Sequence, residues 1–358
     1  MGGAGMSLYS IVEMLSSNHE VTVYCPTSPP DMYNFFLEKG IKVKKISNIG
    51  MLSVYSGGPH TYQRTFWKGL LGIVMTKSMI KKIIQKEKPD LVAVNSIVLS
   101  WIGRILMKEG VKSICFVRET IRKSPWTIRV KQLLNNTFHG VVYISDFDKR
   151  QFGCQKPLTE IVRDCVKLSD YNLSLSRDEA CRNLGLDPTK FNVLFVGGIS
   201  KLKGWNIIKH AMNQLNEDIN LLIAGNTDTR ERFPSNRFHF LGVRKDMPII
   251  YRASDVLVFP SIAPHQARPV FEAGIMHLPA VISNFKQTSE HIIHMKNGLT
   301  FKARSSSDLA EKIKTLYTND NLRKKLGESN FSFASEFHEF ETNKKVLLNF
   351  FGKILNSN

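Results

Sequence analysis

The sequence predicts an α/β protein of two domains, each with a parallel sheet covered by helices on both faces. Short runs rich in Val and Ile alternate with longer segments of helical periodicity, which is the pattern of repeated βα units. The chain has 358 residues, 42% of them hydrophobic and 22% charged, so two domains can each bury a core of their own. We place the first domain at residues 1–166 and the second at residues 167–336.

The first domain shows the alternation along its whole length. Its predicted strands are residues 21–24, 41–46, 91–94, 113–117, 140–144 and 161–166. Its predicted helices are residues 6–15, 30–39, 66–86, 97–108 and 127–135. Ser145, directly after the fifth strand, is a residue type that favours a helix N-cap. This order of elements predicts parallel strands joined by helices.

The amino terminus departs from the pattern. Gly2, Gly3 and Gly5 lead straight into the first helix, although a glycine-rich turn before a helix normally follows a strand. In a doubly wound sheet the first strand lies centrally, so the absence of this strand leaves a gap in the hydrogen-bonded ladder. We therefore expect that the start codon lies upstream or that this version of the chain is truncated, which the mass of the native protein tests.

The second domain opens a new α/β series. A polar connector at residues 167–176 and a helix at residues 177–184 precede a strand at residues 192–196, which ends on Gly197 and Gly198. The series continues with strands at residues 220–224 and 238–241 and helices at residues 245–253, 305–317 and 321–336. A Gly-Gly turn after a buried strand lets a ligand approach the backbone closely. Lys203, just before the next helix, places a point charge where a diphosphate can bind.

Residues 255–283 combine two buried strands with a polar loop between them. Pro260 ends the first strand, Pro269 suits the first turn of a helix at residues 270–277, and the second strand follows at residues 279–282. The loop therefore lies at the carboxyl end of a strand. This is where open α/β sheets bind ligands.

Polar side chains cluster in and just after this loop: Ser261, His265, Gln266, Arg268 and Glu272. One interpretation is a solvated loop followed by a surface helix. In the other, the Glu272 carboxylate accepts hydrogen bonds from a pair of ribose hydroxyls, and the helix start beside Arg268 binds a phosphate. The small residues Ala273 and Gly274 predict close packing of this helix and favour the second interpretation.

This stretch resembles the sugar-nucleotide motif of the retaining glycosyltransferases of family 4, which have the GT-B fold. The positions that match in order and spacing are Pro260-Ser261, Glu272-Ala273, Leu278-Pro279-Ala280 and, in a second family element, Lys203-Gly204. Pro264 stands in place of the first family glutamate, and Gly198 in place of a usual arginine. The resemblance covers nearly the whole chain.

The resemblance implies two Rossmann-like domains facing a cleft, with a helix at residues 337–358 that returns to the first domain. It implies sugar transfer from a nucleotide diphosphate donor to a glycan or lipid-linked acceptor, with retention and without a metal or other cofactor. Surface polysaccharide or glycoconjugate biosynthesis is the expected setting.

The site residues follow from the same resemblance. As catalytic residues we expect Lys203 and Arg268 on the diphosphate and Glu272 on the ribose. The donor-binding candidates are Gly3, Gly197, Gly198, Lys203, Ser261, His265, Gln266, Arg268, Val270 and Glu272. Arg118 and Glu119, after the strand at residues 113–117, are candidates on the acceptor or sugar side, with ion pairing at a strand end as the alternative.

A formal net charge of +18 indicates an anionic partner, either nucleic acid, an anionic membrane or a phosphorylated substrate. The predicted helix 66–86 mixes Trp67, Leu71 and Met75 with several lysines, which is typical of a core face or of a basic amphipathic face that rests on lipid. No recognised motif supports nucleic acid. The five cysteines form no CxxC pair, and no apolar run approaches the roughly 20 residues of a bilayer span. We expect a cytoplasmic protein, peripheral on the inner face of the membrane if this helix binds lipid.

Two other functions stay open on the sequence alone. A non-hydrolysing epimerase of sugar nucleotides shares the two-domain architecture, although its acid and base residues are not recognisable. A catalytically silent sugar-nucleotide-binding subunit is favoured by Pro264, Gly198 and the absent first strand. His291 and His294 have a spacing that suits a metal, but no third ligand lies near them in the sequence, so no metal site is predicted.

Overall fold

The computed structural model describes residues 3–26, 31–47, 49–56, 58–172, 174–226, 236–263 and 267–357. The chain forms two compact units. Unit 1 comprises Met1–Asp164 and Glu341–Asn358, and unit 2 comprises Cys165–Phe340. Parallel sheets and flanking helices alternate in both units, which confirms the predicted α/β class.

The elements follow one another as strand and helix along most of the chain. The strands are β1 (Val23–Pro26), β2 (Val43–Ile46), β3 (Leu91–Val94), β4 (Lys112–Val117), β5 (Gly140–Tyr143), β6 (Leu158–Ile161), β7 (Phe191–Val196), β8 (Ile219–Ala224), β9 (Phe238–Gly242), β10 (Val256–Phe259), β11 (Ala280–Ser283) and β12 (Leu299–Phe301). The α-helices are α1 (Gly3–Ser16), α2 (Asp31–Glu38), α3 (Arg64–Glu87), α4 (Gly103–Lys108), α5 (Pro125–Thr137), α6 (Asp146–Phe152), α7 (Arg177–Asn183), α8 (Trp205–Met212), α9 (Met247–Arg252), α10 (Arg268–Ile275), α11 (Ser306–Thr318), α12 (Asp320–His338) and α13 (Phe340–Leu355). Short 3-10 helices cover Ile97–Ile102, Leu168–Tyr171 and Thr288–Glu290.

The described strands of unit 1 form two separate parallel sheets. β1 pairs with β2, and the other sheet has the order β3-β4-β5-β6. The residues of β5 are buried throughout, as are nearly all those of β4, which is typical of parallel strands covered on both faces.

The last helix, α13, packs against the sheet of unit 1, as the fold class predicts. It lies so close to β5 that a Cβ on Gly140 would stand 2.9 Å from the ring of Phe350. Lys112, at the start of β4, donates hydrogen bonds to the carbonyl oxygens of Leu355 and Ser357, each at 2.6 Å. These contacts fix the end of the chain to unit 1.

Unit 2 is built on a parallel sheet whose described strands have the order β12-β11-β10-β7-β8-β9. Its central strands are apolar on both sides, and a separate hydrophobic cluster covers each face. The strand order changes direction at β7, which lies between β8 and β10. The loops after these three strands therefore leave the sheet at one edge, beside the switch point where such sheets bind ligands.

The structure corrects the position of the sixth strand of unit 1. β6 covers Leu158–Ile161 and pairs in register with β5, whereas residues 161–166 were predicted. Pairing stops because β5 ends at Tyr143, whose carbonyl oxygen accepts the Val162 amide at 2.9 Å. Val166 instead forms backbone hydrogen bonds with His338 and Phe340, both at 3.0 Å.

Two predicted helices also differ. α1 begins at Gly3 rather than at residue 6, so Gly3 and Gly5 lie in the first turn of the helix and not in a turn before it. The predicted helix 97–108 is divided into the 3-10 segment Ile97–Ile102 and α4. Ser96 causes the tighter winding, since its hydroxyl accepts the Val98 amide at 3.2 Å and its carbonyl oxygen the Leu99 amide at 3.2 Å.

Candidate functional site

The loops after β7 and β8 pack backbone against backbone. Gly197 and Gly198 have φ angles of +131° and +66°, and a Cβ on Gly198 would stand 2.1 Å from the carbonyl oxygen of Asn226. The Ala224 carbonyl oxygen accepts the Gly197 and Gly198 amides at 2.8 and 3.0 Å. Only glycine fits position 198 in this arrangement, where the resembling family usually has an arginine.

The start of α8 packs equally closely on the loop after β10. Gly204, the N-cap of α8, has a φ of +88°, and a Cβ there would stand 1.8 Å from the Pro260 carbonyl oxygen. The side chain of Lys203 lies over Gly197, with its ammonium 5.6 Å from the centre of the Phe259 ring. The structure thus brings the glycine turn, Lys203 and the carboxyl end of β10 together.

Burial changes the electrostatics of Lys203. The ammonium is partly withdrawn from solvent against an aromatic ring, and this burial lowers the pKa of Lys203 from its ordinary value. A charge in such low-dielectric surroundings interacts more strongly with an anion than an exposed lysine does. Lys203 is therefore suited to hold a diphosphate oxygen.

The polar loop after β10 is described only in part. Ser261 is buried and its hydroxyl bonds to the Ala263 carbonyl oxygen, while the Ser283 hydroxyl donates to the Ser261 carbonyl oxygen at 2.8 Å. These bonds hold the turn that follows β10. The candidates His265 and Gln266, and Pro264 at the position of the family glutamate, lie outside the described residues.

α10 carries the remaining candidates on the donor side. It has Pro269 in its first turn, and its residues from Val270 to Ile275 are buried. Val270 packs into the hydrophobic core, so its side chain is structural and only its backbone can face a ligand. A Cβ on Gly274 would stand 2.7 Å from the Cβ of Ala334 on α12, which is the close packing that the small residues predict.

The carboxylate of Glu272 is held at both oxygens. Arg268, one helical turn earlier, donates from Nε to Oε1 at 2.7 Å. Tyr251, on α9, donates its hydroxyl to Oε2 at 2.7 Å. Tyr171, from the 3-10 helix Leu168–Tyr171, lies beside the same pair. Burial and the charge of Glu272 raise the pKa of both phenols, so both remain protonated.

Sequence reasoning missed these two tyrosines. Tyr171 belongs to the polar connector and Tyr251 to a helix that carries no motif. A single tyrosine in an amphipathic helix is ordinarily a core residue. The one sequence signal for Tyr251 is its place in the helix directly before β10, whose carboxyl end carries the site.

Arg118, at the carboxyl end of β4, is tied into unit 1. Its Nη1 donates to Asp164 at 2.6 Å and its Nε to Asn95 at 3.1 Å. Ser7 of α1 donates to the same Asp164 oxygen at 2.7 Å, so the first turns of the helix that begins at Gly3 approach this ion pair. The ion pair is thus present, as one of the two interpretations of Arg118 predicts.

Glu119 points to a different set of partners in unit 1. It accepts the hydroxyl of Ser96 at 2.5 Å and the amide of Ile97 at 3.2 Å. Burial raises the pKa of Glu119 from its ordinary value. Within the described ranges, no group of three or more His, Cys, Asp or Glu side chains is arranged to hold a metal ion.

Two family models match the chain, one over each part. "Glycosyltransferase Family 4" matches residues 1–160, and "Glycosyl transferases group 1" matches residues 176–332. The chain belongs to the family 4, group 1 glycosyltransferases. The group 1 match includes Lys203, Arg268 and Glu272, so the residues assembled at the edge of the unit 2 sheet lie within the family region.

Relatives of this family match about half of the chain. A D-inositol 3-phosphate glycosyltransferase of Pseudarthrobacter chlorophenolicus is 26% identical over 195 residues, covering 50% of this chain and 46% of the relative. The N,N'-diacetylbacillosaminyl-diphospho-undecaprenol alpha-1,3-N-acetylgalactosaminyltransferase of Campylobacter jejuni is 26% identical over 164 residues, 44% of this chain and 43% of the relative. Spore coat protein SA of Bacillus subtilis is 29% identical over 225 residues, covering 53% of this chain and 59% of the relative. The chain thus spans about half the length of these relatives.

Solved structures resemble nearly the whole chain. HepE of Anabaena, in complex with UDP, has a TM-score of 0.80 at 19% identity over 98% of this chain and 96% of HepE. Sucrose-phosphate synthase of Thermosynechococcus elongatus has a TM-score of 0.78 at 17% identity over 100% of this chain and 94% of the synthase. At such identities the likeness shows the fold, which is the GT-B fold predicted from the motif.

Proposed function

We propose that this glycosyltransferase moves a sugar from a nucleotide diphosphate donor to a glycan or lipid-linked acceptor, with retention and without a metal or other cofactor, in surface polysaccharide or glycoconjugate synthesis. The observation that carries the proposal is the position of Lys203 beside the glycine turn and the end of β10, with Glu272 on the helix that follows. Two of the relatives named above, those of Pseudarthrobacter chlorophenolicus and Campylobacter jejuni, are sugar transferases by their names, and HepE has also been solved with UDP-glucose. UDP and its sugars are therefore the first donors to test.

The chemistry that Lys203 supplies is stabilisation of a departing diphosphate. When the glycosidic bond of the donor breaks, negative charge accumulates on the diphosphate oxygens. A preorganised ammonium that is already desolvated stabilises this charge without solvent reorganisation. The partial burial of Lys203 against Phe259 provides that preorganisation.

Arg268 and Glu272 extend the site along α10. A guanidinium has five N–H donors, so Arg268 can keep its Nε bond to Glu272 and still bind a diphosphate oxygen. A carboxylate has about four lone-pair sites, and Arg268 and Tyr251 each occupy one on Glu272. The ribose hydroxyls can donate to the others.

Nucleotide binding is tested by a thermal-shift panel of UDP, GDP, ADP and CMP and their sugars. A ligand at 100 times its dissociation constant stabilises a protein by about 2.7 kcal/mol, so one nucleotide class should raise the melting temperature clearly. Lys203→Ala should abolish the shift. Lys201→Ala, which removes an exposed lysine of the same loop, is the matched control and should preserve it.

Transfer is tested next with the donor selected by this panel. Release of the nucleoside diphosphate should require a glycan or lipid-linked acceptor, and the product should retain the anomeric configuration. Conversion of the donor sugar without an acceptor would favour an epimerase. Donor binding without any turnover would favour a silent binding subunit, the function that Gly198 and Pro264 suggest.

We further propose that unit 1 rests on an anionic membrane through α3. One face of this helix is buried, through Phe66, Thr76, Ile80 and Ile84. On the other face Trp67, Leu71, Val74 and Met75 are between 55% and 74% exposed. One face of α3 is therefore a core face, and the exposed apolar face is the one that we propose binds lipid.

Charge favours lipid as the occupant of the exposed face. α3 carries Arg64, Lys68, Lys77, Lys81, Lys82 and Lys86, and its one acidic residue is Glu87 at the end. Apolar side chains with basic neighbours are typical of helices that lie in the plane of an anionic membrane. Within the described residues, no helix has the length and apolarity needed to cross a bilayer.

Co-sedimentation with phosphatidylcholine vesicles, with and without phosphatidylglycerol, tests this surface. The wild type should sediment only with the anionic vesicles, and salt should weaken the effect. The triple variant Leu71→Ser, Val74→Ser and Met75→Ser should remain in solution. The control Met107→Ser with Met295→Ser removes exposed apolar residues elsewhere and should still sediment. Equal sedimentation of both variants, or a dimer that forms through α3 without binding vesicles, would contradict lipid binding.

A further inference from the structure

Tyr251 reaches the site from outside the motif. It belongs to α9, whereas Glu272 belongs to α10, and its side chain is 1% exposed. Its ring packs in the same hydrophobic cluster as Val270 and Ala273 of α10. The hydroxyl at the end of this fixed ring donates to Oε2 of Glu272 at 2.7 Å.

The contact between Tyr251 and Glu272 has a fixed direction. Burial and the charge of Glu272 raise the pKa of the Tyr251 phenol well above its ordinary value. The phenol therefore stays protonated, and its hydroxyl is the donor to the Glu272 carboxylate. Tyr251 thus fixes the orientation of the carboxylate as long as the two helices stay packed.

Arg268 cannot supply the same constraint. Its Nε holds the other oxygen of Glu272, but it lies on the same helix, one turn earlier, at the end of a long side chain. In the proposed function it also binds the diphosphate, so its guanidinium serves two anionic groups. Tyr251 and Tyr171 both reach Glu272 from other elements, and Tyr251 is the one fully buried in the core, with its hydroxyl 2.7 Å from Oε2.

We propose that Tyr251 is a positioning residue for the donor ribose: it holds Glu272 so that the unused lone pairs of the carboxylate meet the ribose hydroxyls. This inference rests on the proposed function, in which Glu272 binds the ribose. A ribose contact is the same in the ground state and in the transition state. Loss of Tyr251 should therefore raise KM for the donor and leave kcat nearly unchanged.

The experiment compares ribonucleotides with their dideoxy counterparts. Affinities of UDP, GDP and ADP, and of 2′,3′-dideoxy-UDP, -GDP and -ADP, are measured by titration calorimetry for the wild type, Tyr251→Phe and Tyr317→Phe. Tyr317 is the control because it loses the same hydroxyl in unit 2, where its ring packs on Phe191 and not on Glu272. For the ribonucleotide that binds, Tyr251→Phe should weaken affinity about 5- to 10-fold, the usual effect of one lost hydrogen bond. Affinity for the dideoxy analogue should stay the same.

The outcomes separate the possible failures. If Tyr251→Phe weakens the ribonucleotide and its dideoxy analogue equally, the hydroxyl contributes only to the packing of unit 2. If it changes the affinity for neither, the hydroxyl contributes neither to that packing nor to ribose binding. Each result contradicts the inference. Glu272→Gln should reduce the preference for the ribonucleotide in the same way. If Glu272→Gln leaves that preference intact, or if the wild type binds none of the three nucleotides, the proposed function itself fails. Melting temperatures of all variants show whether each one is folded.

Discussion

Replacing Gly198 by alanine should destabilise unit 2 much more than the backbone angle alone requires. Its φ of +66° costs an L-residue about 1 kcal/mol. In addition, the new Cβ would stand 2.1 Å from the Asn226 carbonyl oxygen and 2.5 Å from its amide nitrogen. Both obstacles are backbone atoms, so the two loops have to separate by more than an ångström.

Separation of the loops breaks identifiable hydrogen bonds. The Gly198 amide donates to Ala224 and the Ile199 amide to Asn226, at 3.0 and 2.9 Å, and each such bond contributes about 1 kcal/mol. With the conformational cost, the expected loss is about 3 kcal/mol. For a unit of this size that lowers the melting temperature by roughly 6–12 °C.

Gly185 provides the matched control for this measurement. It lies in the same unit with a φ of +69°, and nothing stands within 4 Å of the position of its Cβ. Gly185→Ala therefore isolates the conformational cost, about 1 kcal/mol, from the steric one. Scanning calorimetry should show a drop for Gly198→Ala about three times that for Gly185→Ala. Equal drops would refute the close packing of the two loops.

Three further predictions concern charged side chains: Lys203, the pair of Arg268 and Glu272, and Glu119. Because burial lowers the pKa of Lys203, its charge is lost at a lower pH than that of an ordinary lysine, so diphosphate affinity should begin to fall below the usual lysine range. Lys203→Arg should flatten the pH dependence of diphosphate affinity in calorimetric titrations. The same pH dependence in this variant and in the wild type would contradict the role of the Lys203 charge. A double-mutant cycle of Arg268→Gln and Glu272→Gln in urea unfolding should give a coupling free energy of about 1–2 kcal/mol, because the two paired side chains are only 19% and 11% exposed. Additive effects of the two substitutions would contradict the ion pair. Burial raises the pKa of Glu119, so the folded state binds its proton more tightly than the unfolded state, and the free energy of unfolding should fall as pH rises from the ordinary carboxyl range through this raised pKa. Glu119→Gln should remove that fall in urea unfolding at several pH values, and equal slopes for the two proteins would contradict the assignment.

Local patterns in the sequence predicted the parts of the site that local chemistry determines. Short runs of consecutive residues predicted three features that the structure contains. They are the buried strand before Pro260, the proline in the first turn of α10 and the Gly197-Gly198 turn. The positions of Lys203 and Glu272 followed from the same segments. Such features depend on neighbours in the chain, so a sequence shows them.

Features that depend on distant partners could not be predicted in this way. β6 ends where β5 ends, and only the pairing register reveals that. Tyr171 and Tyr251 become site residues because they lie next to Glu272, and their positions in the sequence do not predict that proximity. In α3 the periodicity is the same for a core face and for an exposed apolar face, and only the exposure of Trp67 and Met75 shows that the helix has both.

Glycine at position 198 is a further case. The sequence shows that the usual family arginine is missing, but not what occupies its place. In the structure the backbone of Asn226 fills the space where a Cβ at position 198 would lie. A second cation for the diphosphate has to come from another element, and Arg268 at the start of α10 is the residue we propose.

Titration calorimetry of wild type, Lys203→Ala and Lys201→Ala with UDP tests most directly whether unit 2 binds the diphosphate of a donor, with GDP and ADP in turn if UDP is inert. A charged contact in partly buried surroundings contributes about 2–3 kcal/mol, so Lys203→Ala should weaken the nucleotide that binds by roughly 30- to 150-fold. Lys201→Ala should bind it like the wild type. Equal affinity of Lys203→Ala and the wild type, or binding of none of the three nucleotides by the wild type, would contradict the proposed role of this site.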